Sequence, residues 1–178
     1  LVGDDLLVAP VEVEGATGRS VPLPPGTWVH WWTGTRYDGD VIADIAAPLG
    51  FGPVFQRGGS AIPMLRRSVV TLSAASAGVD SWANHPGVLN ARVVPGASGG
   101  FTLSTGEAMG VEADGVTLTA GSLYAGWDIE IWAPGATGAT VDGVALPPGE
   151  DGCGDCFIPG DPWVRVITNS GASIRVLP

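Results

Sequence analysis

The sequence is 178 residues long, enough for one sizeable domain or two small ones, and a hydrophobic share of 45% with seven Trp argues against disorder. All eight basic residues are Arg, and 18 acids leave a formal charge of -10 and a pI near 4.3, which counts against nucleic acid and anionic membranes as partners. With 28 Gly and 15 Pro, and one long stretch free of both at 64–77, extended helices have almost nowhere to form.

In chain order, strands are expected at 5–9, 20–23, 27–32, 41–45, 54–57, 61–65 and 69–72. Thr33-Gly34 reads as a hairpin turn between Trp32 and Thr35. Alternation along 27–32 places Trp28, His30 and Trp32 on one face and Trp31 on the other. The stretch 53–63 is a structural joint, in which apolar segments flank Gly58-Gly59 and proline closes each end. Its only charge is Arg57, whose expected place is over a neighbouring strand, paired with an acid.

Further strands are expected at 89–94, 100–103, 109–113, 116–120, 127–133, 140–141 with 144–146, 163–168 and 173–177. In Trp127-Asp-Ile-Glu-Ile131 the alternation implies one buried apolar face and two acids on a wet one. Short strands at this spacing predict an all-β fold of antiparallel β-sandwich-like domains. A catalytic (β/α)8 barrel, at roughly 250 residues and eight helices, is excluded. The small-residue run 73–79 marks the expected boundary, giving a proximal β-domain at 1–72 and a distal β-sandwich at 73–178.

Few residues suggest chemistry. Cys153-Gly-Asp-Cys156 lies in a Gly/Pro-rich loop, where a local disulfide is favoured over zinc or redox chemistry: the two His lack ligand spacing and Pro159 follows too soon for a helix. If Cys153 and Cys156 are bonded, an extracytoplasmic setting is favoured; otherwise the location is unknown. Asp4, Asp5, Asp38, Asp40, Asp151 and Asp155 suit turns, and neither 38–40 nor 151–155 completes a calcium loop. Glu107, Glu112 and Asp114 do not define a catalytic pair. No catalytic residue, metal ligand or cofactor is expected, and no substrate-binding residue can be named. The sequence has no apolar run near 18 residues and no leader pattern at Leu1.

Five pieces carry a resemblance: Gly3-Asp-Asp-Leu-Leu-Val-Ala-Pro-Val11, Val21-Pro-Leu-Pro-Pro-Gly-Thr-Trp28, Trp31-Trp-Thr-Gly34, Ala47-Pro-Leu49 and 53–64. In this order they resemble the segment that follows the catalytic barrel in glycoside hydrolase family 31, the α-glucosidase and α-xylosidase family. Val93-Val-Pro-Gly96 with Gly100-Phe-Thr-Leu103 resembles the family's distal C-terminal domain, although Ser104-Thr-Gly-Glu-Ala108 stands where an acidic Tyr-Glu-Asp-Asp-Gly-like stretch is usual. The resemblance implies a parent that hydrolyses α-O-glycosidic bonds with two aspartates carried on a barrel upstream, so this segment alone should be inactive. Its implied partner is that barrel, through an apolar patch near 28–32 or 1–6. The alternative is a carbohydrate-binding module using Trp82, Trp132 or Trp163.

Overall fold

The computed structural model describes residues 1–74, 76–97 and 99–178. Its first strands are β1 (Leu6–Val8), β2 (Gly18–Leu23), β3 (Thr27–His30), β4 (Arg36–Asp38), β5 (Val41–Ala46) and β6 (Val54–Arg57). β2 and β5 form an antiparallel ribbon, and the other four form a sheet in the order β1-β6-β3-β4. Alternation turns Val21, Leu23, Trp28 and Phe55 inward, where they close a small core with Leu7 and Ile45. The opposite face of the sheet is covered as well. Val29 and Gln56 are in register and fully buried there, and Gln56 Nε2 donates to the Arg92 carbonyl at 3.0 Å.

The strands continue with β7 (Ser60–Met64), β8 (Val88–Val94), β9 (Gly99–Thr102), β10 (Ala108–Val111), β11 (Gly115–Thr119) and β12 (Gly126–Trp132), then β13 (Gly138–Val141), β14 (Val144–Ala145), β15 (Cys156–Ile158), β16 (Trp163–Thr168) and β17 (Ser173–Leu177). They make a two-layer sandwich with sheets ordered β15-β16-β12-β8-β7 and β14-β13-β17-β11-β10-β9. Trp127, Ile129 and Ile131 face Met109, Val116 and Ile174 across one core. Pairing is antiparallel except between β8 and β12, which run parallel because β9, β10 and β11 cross through the other sheet first. The all-β, antiparallel sandwich architecture read from the sequence is thus the one observed.

Details differ for identifiable reasons. β3 stops at His30, where His30 N–H to the Thr35 carbonyl and Gly34 N–H to the His30 carbonyl, each 2.8 Å, close a loop over 31–34; Trp31 and Trp32 therefore leave the strand alternation. The expected strand 69–72 is reduced to one bridge, Thr71 with Ser81, while β4 and β15 were not anticipated. The outer face of β12 is not wet: Asp128 is only 5% exposed. It pairs with Arg165, and Glu130 pairs with Arg67 at 2.6 Å, so the acids form a cross-strand ionic layer.

Hydrogen bonding passes from the first sheet to the second at Gly58-Gly59, because β6 pairs with β1 and β3 while β7 pairs with β8. Gly59 has φ +80°, and a Cβ there would lie 2.1 Å from the Ala97 carbonyl oxygen. Only glycine fits both the conformation and the contact.

Candidate functional site

One arginine and three tryptophans meet where the first sheet adjoins the sandwich. At the centre, the Arg92 guanidinium lies 3.6 Å from the centroid of Trp163 and 4.3 Å from that of Trp31. Trp31 comes from the β3–β4 loop and Trp163 opens β16, so the cation is held between indoles of different units. Burial pulls the Arg92 pKa down to about 10 against the attraction of Glu130, and it remains charged at neutral pH. Beside it, Trp132 Nε1 donates to the Gly34 carbonyl at 2.8 Å, and the Gly34 α-carbon faces Pro162.

Adjoining this joint is a cleft of about 730 Å³. Its lining includes Arg36, Arg57, Gly58, Trp132, Ala136 and Asp114. The acid nearest to hand for Arg57 is Asp5, whose carbonyl accepts the Arg57 amide proton at 2.9 Å and whose carboxylate feels the Arg57 charge, but the two side chains form no close ion pair. Arg57 is exposed and, contrary to expectation, has no carboxylate within 4.0 Å among the described residues, whereas the other seven arginines each have one.

The acids singled out by sequence are dispersed and structurally employed. Glu107 is fully buried; burial disfavours its charge, yet the Thr105 hydroxyl and the amides of Tyr124 and Leu123 outweigh that and hold its pKa at about 2. Glu112 and Asp114 both turn to Arg175, at 2.6 and 3.5 Å. Asp38 pairs with Arg36, Asp151 with Arg165, and Asp155 accepts the Asn169 amide proton. Among the described residues, His, Cys, Asp and Glu form no group of three placed to hold a metal. The sulfurs of Cys153 and Cys156 meet across a short loop, with Cα atoms 6.2 Å apart.

Of the Trp residues considered as sugar platforms, Trp132 and Trp163 are half-buried at the joint, and Trp82 is 41% exposed with Nε1 on the Tyr124 hydroxyl. The first unit also presents apolar side chains to solvent. Trp32 and Phe51 meet edge to face at 5.3 Å, and Leu49, Leu1 and Val2 are exposed. Arg92 was missed by sequence reasoning, although an Arg inside the apolar strand Val88–Val94 is a signal of a buried cation needing partners.

Comparison with known proteins adds the following. Residues 1–62 match the model of the glycosyl hydrolase family 31 C-terminal domain. A sulfoquinovosidase of Escherichia coli (strain K12) is 45% identical over 60 residues, 34% of this chain and 9% of that protein. An alpha-xylosidase of Saccharolobus solfataricus is 29% identical over 104 residues, covering 58% of this chain and 13% of the enzyme. Among solved structures, a cycloalternan-forming enzyme from Listeria monocytogenes superposes on 98% of the chain with a TM-score of 0.76 at 24% identity, a likeness of fold, and covers 18% of that enzyme. A GH31 alpha-xylosidase from Xanthomonas citri gives a TM-score of 0.54 at 28% identity over 74% of this chain and 16% of its own. The matched part is thus a small fraction of each relative's length.

Proposed function

With residues 1–62 forming a glycosyl hydrolase family 31 C-terminal domain, and the whole chain sharing the β fold of enzymes of that family, we propose that it is the non-catalytic C-terminal region of an α-glycosidase. Its role is to brace the catalytic barrel of its own parent chain. The observation that carries this reading is the exposed apolar surface of the family-matching unit: Trp32 packed edge to face on Phe51, and Leu49, Leu1 and Val2 open to solvent. Leu49 is 102% exposed, a position that water tolerates but that a covering neighbour would use. The Arg92 clamp supports the same role, since it fixes the second unit's orientation behind the first. We place the boundary between the units at Gly58-Gly59, where the sheet pairing changes hands.

The test compares the isolated chain with the parent containing it. Phe51→Ser together with Leu49→Ser should lower the melting temperature of the isolated chain only modestly, through loss of the exposed Trp32–Phe51 contact, worth about 0.5–1.5 kcal/mol. The same pair should lower the barrel's melting temperature in the parent. An unchanged parent would remove the bracing role. Aryl α-glucosides should not be turned over by the isolated chain.

A module presenting Trp82, Trp132 or Trp163 as an open aromatic platform has less support, because the joint engages Trp132 and Trp163.

A further inference from the structure

The sulfurs of Cys153 and Cys156 meet, yet neither the exposed apolar surface nor the joint uses them. They close the loop that runs from Pro147 into β15. Its base is tied by the Gly149 N–H to the Phe157 carbonyl and by the Phe157 N–H to the Pro147 carbonyl, each 2.9 Å. The Gly149 backbone lies against the sulfurs, since a Cβ there would stand 2.9 Å from either one. Cys156 is 2% exposed, whereas Cys153 is half-buried between exposed Gly152 and Gly154. One sulfur is shielded, so the open route for an incoming thiolate is to Cys153. From the same loop Asp151 reaches cations of two other segments. Its carboxylate pairs with Arg165 on β16 and lies 3.7 Å from Arg66, which follows β7. The loop thereby links the sandwich to the segment 65–72, on which Leu65, Val70 and Leu72 are exposed.

We propose that Cys153 and Cys156 form a thiol–disulfide exchange site, entered at Cys153, whose state sets how firmly Asp151 holds the segment after β7. The co-reactant is a dithiol. Its thiolate attacks Cys153 Sγ, the bond to Cys156 breaks, and the electron pair leaves on Cys156 Sγ, which takes up a proton. The second thiol of the reagent, giving up its proton, then attacks the reagent's own sulfur in the mixed disulfide and releases Cys153 as a thiolate, which is protonated in turn. The chain gains two electrons and two protons, and the dithiol becomes a disulfide. Glu150, Asp151 and Asp155 stand beside Cys153 in a chain of net charge -10, which favours a neutral or cationic reagent over an anionic one. Once the ring is open, Gly149 no longer backs a fixed pair of sulfurs, and Asp151 loses the support that aims it at Arg165 and Arg66. The pair is a target of reduction and not a redox catalyst. This goes beyond the bracing role and does not rest on it.

The experiment reduces the folded chain with dithiothreitol, blocks the thiols with iodoacetamide and counts the labels by mass. The rate should rise in proportion to reductant and stay constant in urea below the unfolding transition. A rate that levels off with reductant, or climbs with urea, would show that the sulfurs are reached only on unfolding and would overturn the inference. Cysteamine quenched with acid should be found on Cys153 about tenfold more often than on Cys156, and an equal or reversed distribution would refute entry at Cys153. Asp151→Asn should lower the melting temperature of the oxidised chain by about 1–4 °C and that of the reduced, blocked chain by less than half as much. In wild type, reduction should speed deuterium exchange of the Val69 amide, which donates to the Arg66 carbonyl at 2.9 Å, and Asp151→Asn should do the same without reduction. An Asp151→Asn effect of equal size in both states, or a Val69 amide indifferent to reduction, would break the link between the sulfurs and the segment. A chain that labels fully before any reductant is added would remove the site altogether.

Discussion

Replacing Gly34 by alanine should loosen the contact between the two units. Gly34 has φ +68°, a conformation that costs an L-residue about 1–2 kcal/mol. A Cβ would also stand 2.1 Å from Pro162 Cγ and 3.0 Å from Trp163 Nε1, both on the second unit. Relieving such overpacking costs about 1–3 kcal/mol, so the combined loss is about 2–5 kcal/mol. In a chain of this size, at about 2–4 °C per kcal/mol, that is a fall in melting temperature of about 4–20 °C. Gly135 separates the two causes: its φ is +77° but a Cβ there meets nothing within 4 Å. Gly135→Ala should therefore pay only the backbone cost, about 1–2 kcal/mol. Thermal and urea unfolding of both variants would measure the difference. If Gly34→Ala fell no further than Gly135→Ala, the hairpin would not be packed on Pro162 and Trp163, and the account of a rigid joint would fail.

Other outcomes follow from the same geometry. Arg92→Met should destabilise by about 1–3 kcal/mol through loss of both cation–π contacts, and Arg92→Lys should recover only part of it, since an ammonium lacks the planar surface; urea midpoints decide, and an indifferent Met variant would refute the clamp. Glu107 is depressed to about 2 when folded, so the stability it contributes is fully present above its unfolded value and is lost as pH falls toward 2. Wild type should weaken across that acid range more steeply than Glu107→Gln, and parallel pH profiles would show that the Thr105, Tyr124 and Leu123 bonds do not hold it ionised. Alkylation of unfolded chain before and after reduction should label Cys153 and Cys156 only after reduction; labelling without reductant would show that the two sulfurs are not bonded.

What the sequence made legible was whatever depends on local periodicity. Alternation located β12 and β16, and Gly58-Gly59 announced the sharp corner between β6 and β7. The same periodicity failed on the outer face of β12, because Asp128 and Glu130 show their polarity but not the Arg165 and Arg67 that cover them from other segments. Trp31 was placed by alternation on a strand face. It lies instead in a loop, whose closure depends on the hydrogen bonds of His30 and Gly34 and whose docking depends on Arg92. The cleft was invisible for a related reason. Its walls come from residues distant in sequence, and most are small side chains that carry no chemical signature.

β7 gives the domain organisation a practical edge. The family match ends at residue 62, inside Ser60–Met64, yet that strand forms the border of the second unit's five-stranded sheet, where Pro63 is tolerated because one side needs no donor. A fragment trimmed to the matched residues would carry off the outermost strand and leave β8, with its run of buried valines, as a raw margin with unpaired amides. The remaining piece would be prone to self-association by strand addition, and its mate would trail a strand with nothing to pair against. On the boundary proposed at Gly58-Gly59, a clean separation falls between Arg57 and Ser60.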